Sequence, residues 1–287
     1  MNKKLSLLAC APVALMAITS CGKTTAEQAN NDANDVVTYN VNQQIKKISK
    51  VYYCPADTMF GADIKVYSQK KADVQFITDM NGTVPSALQD TVISRAFGAK
   101  GVTVDVAMNN FATSAAEYLE TPAADRVEVK GMPTDSNMVM LYEDVNVTVT
   151  DLSEKVVVCE VNFDSFTGGA HGNTSSQFIN YDVKNGKVLN FDDIFVPGSD
   201  AELFKIVKEQ LMTKYNVTSM DELAKVSGIF VDDLYLSKNV YFTDNGIAFY
   251  YNPYDIGPWS IGAVVVNAYE MQLTPYLTPA AKACFAE

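Results

Sequence analysis

The sequence predicts an α+β protein with a largely antiparallel sheet, hairpins and packed helices, arranged as two closely associated subdomains. Two observations lead to this fold class. Short runs rich in Val, Ile, Tyr and Phe recur along the 287 residues, and two pairs of runs flank Asn-Gly dipeptides that suit hairpins. Other stretches place apolar residues at helical spacing next to capping residues. No repeat of fixed period is visible, which argues against a solenoid or a propeller.

The first twenty residues predict a secretory signal. Lys3 and Lys4 precede a mostly apolar run from Leu5 to Ile18, which is too short for a permanent membrane span. The run ends in ITSC and resembles a bacterial lipobox, so Cys21 is expected to carry lipid and to become the first mature residue. An ordinary signal peptide followed by a chance cysteine is the alternative. No later apolar segment is long enough to cross a bilayer.

Composition divides the rest of the chain into three parts. Residues 21–40 are rich in Asn, Ala, Asp and Thr and predict a flexible lipoprotein tether. Residues 41–136 are expected to form an N-terminal α+β subdomain, and residues 137–287 a C-terminal α+β domain. About 245 residues fit one large domain or two small ones packed together.

The chain is strongly acidic. Of its 22 lysines and arginines, two leave with the predicted signal, so 20 basic residues stand against 34 acidic ones and the formal charge is −14. Nucleic acid is not expected as a partner, because phosphate contact requires a basic surface. A basic protein would be steered toward such a surface. Solubility alone is the simpler explanation of the charge.

Three cysteines remain after Cys10 leaves with the signal and Cys21 takes lipid. Cys54, Cys159 and Cys284 are an odd number, so one disulfide with one free thiol is one possible arrangement. Cys54 and Cys159 both lie in strand-like runs, which favours that pair. All three can equally be small buried hydrophobic side chains.

The N-terminal subdomain is predicted to be a small sheet with two helices. Its strand-like runs lie at 46–54, 62–68 and 72–78. A helix is predicted over 85–98, where Pro85 suits the first turn and Gly98 suits the C-cap. Its apolar residues recur at Leu88, Val92, Ile93 and Ala96. A second helix is predicted over 110–119.

The C-terminal domain is predicted to begin with two long strand-like runs at 137–152 and 155–166. Two hairpins are expected to turn at Asn185-Gly186 and at Asn245-Gly246, because this dipeptide tolerates the positive φ angles of a two-residue turn. Two helices are predicted between the hairpins. The first is capped by Ser199 or Asp200 and the second covers SMDELAKVSG. The remaining runs are a late strand at 262–269 and a short helical end at 270–277.

The first helix between the hairpins shows the clearest apolar stripe of this domain. Its four apolar positions recur at helical spacing and are expected to face the core: Leu203, Ile206, Val207 and Leu211.

Three segments of the C-terminal domain, taken together, resemble a known family. They are FTGGAHGNTSSQFINYDVKNGKVLNFDDIF, VYFTDNGIAFYYNPYDIGPWSIGAVVV and YEMQLTPYL. In this order and spacing they are similar to the C-terminal domain shared by the lysozyme-sensing anti-sigma factor RsiV and a group of cell-envelope peptidoglycan deacetylases, a domain family of unknown function. The resemblance covers about residues 137–277. The family's companion N-terminal domain usually lies where residues 41–121 lie here.

The resemblance implies an envelope-facing module that binds a lysozyme-like protein or peptidoglycan glycan. The anti-sigma factor's cytoplasmic sigma-binding segment and membrane helix have no counterpart in this sequence, so sigma control is not implied. The deacetylases carry their zinc ligands and catalytic base in a separate domain. This sequence has no match to that domain, so deacetylation is not implied either.

The residues themselves predict no catalytic constellation, cofactor or metal site. There is no His-Glu-x-x-His pair, Cys/His cluster, Gly-x-Ser-x-Gly elbow or Walker-type phosphate loop. Glycoside hydrolysis needs only two carboxylates, which Asp192-Asp193 and Asp232-Asp233 supply in sequence. Adjacent strand residues point to opposite faces, so these pairs are expected to be solvated or to cap a helix. A cell-wall glycan-active enzyme with an unidentified carboxylate site is the alternative.

His171, the one histidine of the chain, lies in a turn of small residues. In one interpretation its imidazole hydrogen-bonds a nearby carbonyl and fixes the bend. In the other it is a contact residue that reaches between the two carboxylates of a lysozyme-type glycosidase. The candidate binding residues of this segment are Thr167, Gly168, Gly169 and His171.

The second candidate surface is the segment YYNPYDIGPWS at 250–260, which holds three tyrosines and the one tryptophan. Exposed aromatic side chains on a loop stiffened by two prolines suit protein hot spots and also stack on sugar rings. The alternative is that Tyr251, Tyr254 and Trp259 pack as core. Asp255 is expected to bind sugar hydroxyls or a partner's arginine, or to cap the turn. The candidate binding residues are Asn252, Pro253, Tyr254, Asp255, Pro258 and Trp259.

The sequence thus predicts an exported, lipid-anchored, non-catalytic envelope protein. Its expected target is a lysozyme-like protein or peptidoglycan glycan. A structural envelope lipoprotein without a dedicated ligand is a further alternative.

Overall fold

Two β-sheets form the framework of the protein in the computed structural model, which describes residues 36–39, 43–56, 65–114 and 138–285. The described residues all belong to one compact unit that spans Ala33–Glu287. The predicted signal, Cys21 and most of the predicted tether lie outside the described residues. Within the described ranges, no helix is long and apolar enough to cross a membrane.

The larger sheet follows the order of the chain. Each strand neighbours the next one in sequence, and every pair is antiparallel except β3 and β4, which are parallel. The predicted α+β fold with a largely antiparallel sheet is therefore confirmed. The strands are β1 (Val36–Tyr39), β2 (Gln43–Ala56), β3 (Lys65–Met80), β4 (Met138–Leu152), β5 (Val156–Phe166), β6 (Asn173–Asp182) and β7 (Lys187–Leu189).

The strand boundaries differ from the prediction at two places. The runs at 62–68 and 72–78 belong to one strand, because Gln69–Lys71 continue the ladders to β2 and β4 without a turn. Val36–Tyr39, at the end of the predicted tether, pair with β2 as β1. The larger sheet contains strands from both sides of the predicted boundary at 136/137, because β3, which precedes the boundary, pairs with β4, which follows it.

Two helices cover one face of the larger sheet. Helix α1 (Ser86–Phe97) has the predicted position and ends at Gly98, whose φ of 64° suits a residue without Cβ. Helix α2 (Val104–Thr113) begins earlier than predicted, because the Thr103 hydroxyl caps it by accepting the N–H of Val106 at 3.4 Å. The part of the predicted helix beyond residue 114 lies outside the described residues. The buried stripe of α1 is the predicted one: Leu88, Val92, Ile93 and Ala96.

The second sheet has three antiparallel strands in the order β10-β9-β8, and it packs with helices and with residues of β5 and β6 around a second core. Helix α4 contributes the predicted stripe of Leu203, Ile206, Val207 and Leu211. Ser199 occupies the N-cap position as predicted, but its side chain does not cap the helix, since its hydroxyl donates to Val196 O at 2.7 Å. The elements are α3 (Phe191–Ile194), α4 (Asp200–Lys214), α5 (Met220–Ser227), β8 (Val240–Thr243), β9 (Gly246–Tyr251), β10 (Val264–Tyr269), α6 (Glu270–Leu273) and α7 (Pro279–Cys284).

Both predicted hairpins exist, but neither turns at its Asn-Gly dipeptide alone. The β6–β7 connection is a four-residue loop, because Asp182 pairs with Lys187 and its carboxylate accepts the N–H of Asn185 at 3.0 Å. The β8–β9 loop is Asp244-Asn245, and Gly246 already opens β9. A Cβ at Gly246 would collide with Ala268 O of β10, so this glycine permits close strand approach rather than a positive φ.

Three asparagine side chains join the second sheet to the edge of β6. Asn180 donates to one backbone group of β8 at 2.8 Å and accepts from another at 3.1 Å. Asn239, just before β8, does the same with two backbone groups of β6, at 2.8 and 3.1 Å. Asn252 accepts the N–H of Ser176 at 2.6 Å. These carboxamides take the place of a backbone ladder and fix the β9–β10 loop beside β6.

The favoured disulfide between Cys54 and Cys159 is wrong. Cys159 is a buried free thiol on β5, while Cys54 lies on β2, with β3 and β4 between them. Three strand spacings amount to about 14 Å, which is too far for a disulfide. Cys284 is a second buried free thiol, so both side chains behave as small core residues.

Candidate functional site

The two candidate segments meet in space. His171 lies in the β5–β6 connection, and the β9–β10 connection carries Tyr254 and Trp259. The rings of His171 and Trp259 stack with centroids 4.2 Å apart and planes 19° apart, and the Tyr254 ring centroid lies 6.2 Å from that of His171. Residues that are distant in sequence thus form one aromatic cluster.

The hydrogen bonds of His171 define its tautomer. Nδ1 lies 2.8 Å from the carbonyl oxygen of Gly172, and a carbonyl only accepts, so Nδ1 carries the proton. In the neutral ring Nε2 is then an acceptor, and the hydroxyl of Tyr254 donates to it at 3.2 Å. The bond to Gly172 is the carbonyl contact that the turn interpretation expects. Because both nitrogens have partners, bridging two carboxylates would require a ligand to displace these contacts.

Tyr254 is held in an unusual backbone conformation. Its φ is 74°, a left-handed value that costs a non-glycine residue about 1 kcal/mol. The surrounding turn maintains it, since Asn252 N donates to the Asp255 carboxylate at 2.7 Å and Asp255 N donates to Asn252 O at 3.0 Å. Of the roles expected for Asp255, the structure displays the turn cap. Strain maintained in a loop that presents an exposed aromatic residue is typical of a functional site.

The candidate aromatic residues separate into core and surface. Tyr251 is fully buried and donates its hydroxyl to Tyr235 O at 2.6 Å, so it packs as core. Tyr254 and Trp259 remain 58% and 40% exposed. Of the three aromatic residues that were considered as core residues, only Tyr251 packs in the core.

The remaining candidate residues lie in the same two loops and contribute no ring to this aromatic cluster. Gly168 and Gly169 have φ values of 100° and 105°, which explains why this bend uses glycine. Thr167 is exposed near the base of the same connection. Pro253 occupies the turn before Tyr254, and Pro258 begins the 3-10 turn of Trp259.

Two further exposed aromatic residues lie against the same loop and were not predicted. Phe230 is 52% exposed, and its N–H donates to Ile256 O at 2.8 Å. Tyr235 is 45% exposed, and its side chain lies close to the Asp255 carboxylate. Burial, followed by this carboxylate, raises the pKa of Tyr235. We call the five exposed residues the aromatic surface: His171, Phe230, Tyr235, Tyr254 and Trp259.

The carboxylate pairs adjacent in sequence have structural partners. Asp193 accepts the backbone N–H of Asn190 at 3.0 Å at the start of α3, and it also pairs with Lys187. The Lys187 hydrogen bond, with those from Asn190, lowers the pKa of Asp193. Asp192 points to solvent near Lys238, and Asp232 and Asp233 are exposed in a 3-10 turn. The described residues hold no group of three His, Cys, Asp or Glu side chains that could bind a metal ion.

Comparisons with known proteins agree with this fold. A DUF3298 family protein from Pseudomonas aeruginosa PAO1 has a TM-score of 0.55 and 17% identity, and the match covers 85% of this chain and 96% of that one. A member of the same family from Bacteroides fragilis NCTC 9343 has a TM-score of 0.62 and 22% identity, covering 88% of this chain and 99% of that one. No curated protein matches the sequence. Residues 192–267 match the family described as protein of unknown function (DUF3298), and this match includes four of the five residues of the aromatic surface.

Proposed function

We propose that the protein is a non-catalytic envelope protein that binds a basic, lysozyme-like protein through the aromatic surface. The observation that carries this proposal is the exposed cluster of His171, Tyr254 and Trp259, brought together from two loops and held by a strained turn. Exposed aromatic side chains with fixed orientation supply contact area at low entropic cost and dominate binding energy at protein interfaces.

The charge of the chain supports a basic partner. The 287 residues carry 34 acidic and 22 basic side chains, a formal charge of −12. A partner of opposite charge would approach faster, and salt would weaken this effect. The resemblance to the RsiV-like C-terminal domain supports the same partner. Export and lipid attachment at Cys21 complete the proposal and rest on the N-terminal sequence.

Binding of the full chain to a basic lysozyme at about 0.02 M and about 0.15 M salt tests this function. We expect binding at low salt that weakens at the higher salt, and a loss of at least about tenfold in affinity for Trp259→Ala. Met271→Ala is the matched control, because Met271 is 85% exposed just beyond the opposite end of β10. Absence of binding at low salt, or equal losses in the two variants, would contradict the proposal.

Peptidoglycan glycan is the second candidate ligand. It is favoured by Trp259, which keeps 40% of its surface exposed although His171 stacks on its ring. That exposed indole surface can stack on a sugar ring. Binding to purified glycan that is unchanged between the two salt concentrations, and lost in Trp259→Ala, would support this candidate over the first.

A further inference from the structure

Glu160 is a half-buried carboxylate beside the junction of the two sheets. It lies on β5 opposite Phe178 of β6, and its Oε1 accepts the hydroxyl of Ser176 at 2.6 Å. Within the described ranges, no lysine, arginine or histidine forms an ion pair with it. A carboxylate that is partly removed from water and has no cation beside it can gain a charge-assisted hydrogen bond from a cationic partner.

Three aromatic rings lie around this carboxylate. The Tyr241 ring stacks on Phe178 with centroids 4.1 Å apart, and the Tyr250 ring centroid lies 5.0 Å from that of Phe178. Tyr241 and Tyr250 are both half-buried, so each keeps part of its surface open to solvent. Ser176 lies between these groups, because its hydroxyl donates to Glu160 and its side chain also lies close to Tyr250.

The charges in this cluster are negative. Burial, and then the Glu160 charge, raises the pKa of Tyr241. Burial is also the largest cause that raises the pKa of Tyr250, with smaller contributions from Glu160 and Asp255. Both phenols therefore stay neutral at physiological pH, and their rings lie near the Glu160 carboxylate. A carboxylate beside aromatic rings is an environment that attracts an ammonium or guanidinium group.

We propose that Glu160, Tyr241 and Tyr250 form a receptor for one cationic side chain, lysine or arginine, of the basic partner. This inference rests on the proposed function and names a second contact for it. Phe166, the last residue of β5, lies six residues after Glu160, which places the receptor about 20 Å from the end of the strand that leads to His171. A protein interface of standard size can cover both places.

Titration of the full chain with the amides of N-acetyl-arginine and N-acetyl-lysine, followed by NMR, tests the receptor without any protein partner. We expect the largest shifts at the rings of Tyr241 and Tyr250 and at the amides around Glu160. Glu160→Gln keeps an acceptor for Ser176 but removes the charge, and it should weaken binding at least about tenfold. Asp164→Asn is the matched control, since it removes one carboxylate from the same strand and face.

The two proposals fail in different ways. The receptor proposal is wrong if the amides shift only resonances far from Glu160, Tyr241 and Tyr250. It is also wrong if Glu160→Gln binds the amides with the same affinity as the unaltered protein. Both conclusions hold whether or not the basic lysozyme binds. If the amides bind at Glu160 and the basic lysozyme does not bind, the receptor stands and the proposed function fails. If both bind, Glu160→Gln must weaken lysozyme binding at least about tenfold and Asp164→Asn less than about threefold, and equal effects would overturn the inference. Unchanged thermal unfolding of Glu160→Gln shows that the variant is folded.

Discussion

The imidazole of His171 and the indole of Trp259 stack at 4.2 Å, and this contact ties the tip of one sheet to a loop of the other. Both residues lie in connections rather than in strands, so their positions depend on the frame beneath them. Asn252, the first residue after β9, holds the loop in place, because its carboxamide oxygen accepts the backbone N–H of Ser176. An aromatic surface fixed before binding loses less conformational entropy when a partner arrives.

Replacing His171 with Ala should change the environment of Trp259 more than the stability of the fold. Because the chain has one tryptophan, its fluorescence reports this contact directly. We expect emission at longer wavelength, as solvent reaches the uncovered ring face, and a loss of about 1 kcal/mol in the free energy of unfolding. Tyr254→Phe, which keeps the ring and removes only the hydroxyl, should leave the emission nearly unchanged. Unaltered emission in His171→Ala would contradict the stack.

The strain at Tyr254 can be measured by comparing two truncations. Tyr254→Gly and Tyr254→Ala both remove the aromatic ring, but glycine adopts a φ of 74° without steric cost. We therefore expect the glycine variant to be about 1 kcal/mol more stable than the alanine variant in urea unfolding. An alanine variant as stable as the glycine variant would mean that this residue does not keep the left-handed conformation.

Asn180 should be essential for the junction between the sheets. Its replacement with Ala leaves Val240 O and Phe242 N–H, both in buried surroundings, without their partners. We expect a loss of about 3 kcal/mol in the free energy of unfolding, measured with denaturant. Asn267→Ala, at an exposed position of β10, is the control and should cost less than about 0.5 kcal/mol. Similar losses in the two variants would show that the carboxamide bonds contribute little.

The neighbouring carboxylates Asp192 and Asp193 should differ in their contribution to stability. Asp193→Asn loses the pairing with Lys187 and weakens the α3 cap, so we expect a cost of about 1 kcal/mol at neutral pH, against nearly none for Asp192→Asn. The pKa of Asp193 is lowered on folding, so its contribution is present above the unfolded value and disappears as pH falls through the folded one. Thermal unfolding at pH 7 and below pH 3 measures this. If Asp193→Asn still lowers the free energy of unfolding by the same amount below pH 3, the ionised carboxylate is not the source of the stabilisation.

The buried thiol of Cys159 predicts a loss of stability in alkali. Burial raises its pKa to about 12, whereas an unfolded cysteine titrates near about 8.5. The unfolded state releases this proton first, so the free energy of unfolding should fall as pH rises from about 9 toward 12. The decline should be steeper than in Cys159→Ala by about 1.4 kcal/mol per pH unit. Equal slopes would show that the thiol is accessible in the folded state.

Local signals in the sequence predicted much of the architecture. The stripe and C-cap of α1, the stripe of α4 and the long strands β4 and β5 all follow from patterns within a few residues. The pattern was misleading where tertiary contacts decide. Gly246 lies in a strand because β10 approaches closely. The start of α2 was placed too late for a different reason, because the local N-cap at Thr103 was not recognised.

The candidate site was predictable only in part. Glycine and aromatic content singled out the two loops separately, and no local pattern shows that they meet. Phe230 and Tyr235 were missed because each stands alone in sequence and reaches the surface through contacts with residues of another loop. The asparagine junction was missed for a related reason, since a carboxamide that replaces a backbone ladder has no periodic signature.

The parallel pairing of β3 with β4 has a consequence for the order in which the chain acquires its structure. Each of the other pairs in the larger sheet joins strands linked by a short connection, whereas β4 is synthesised 57 residues after β3 ends at Met80. Until β4 arrives, β3 has a paired edge toward β2 and an open edge on the other side. An open edge of this length is a template for pairing with another copy of the chain. Delayed closure of this edge therefore favours early misassembly, and a chaperone that shields the nascent strand should improve the yield of folded protein.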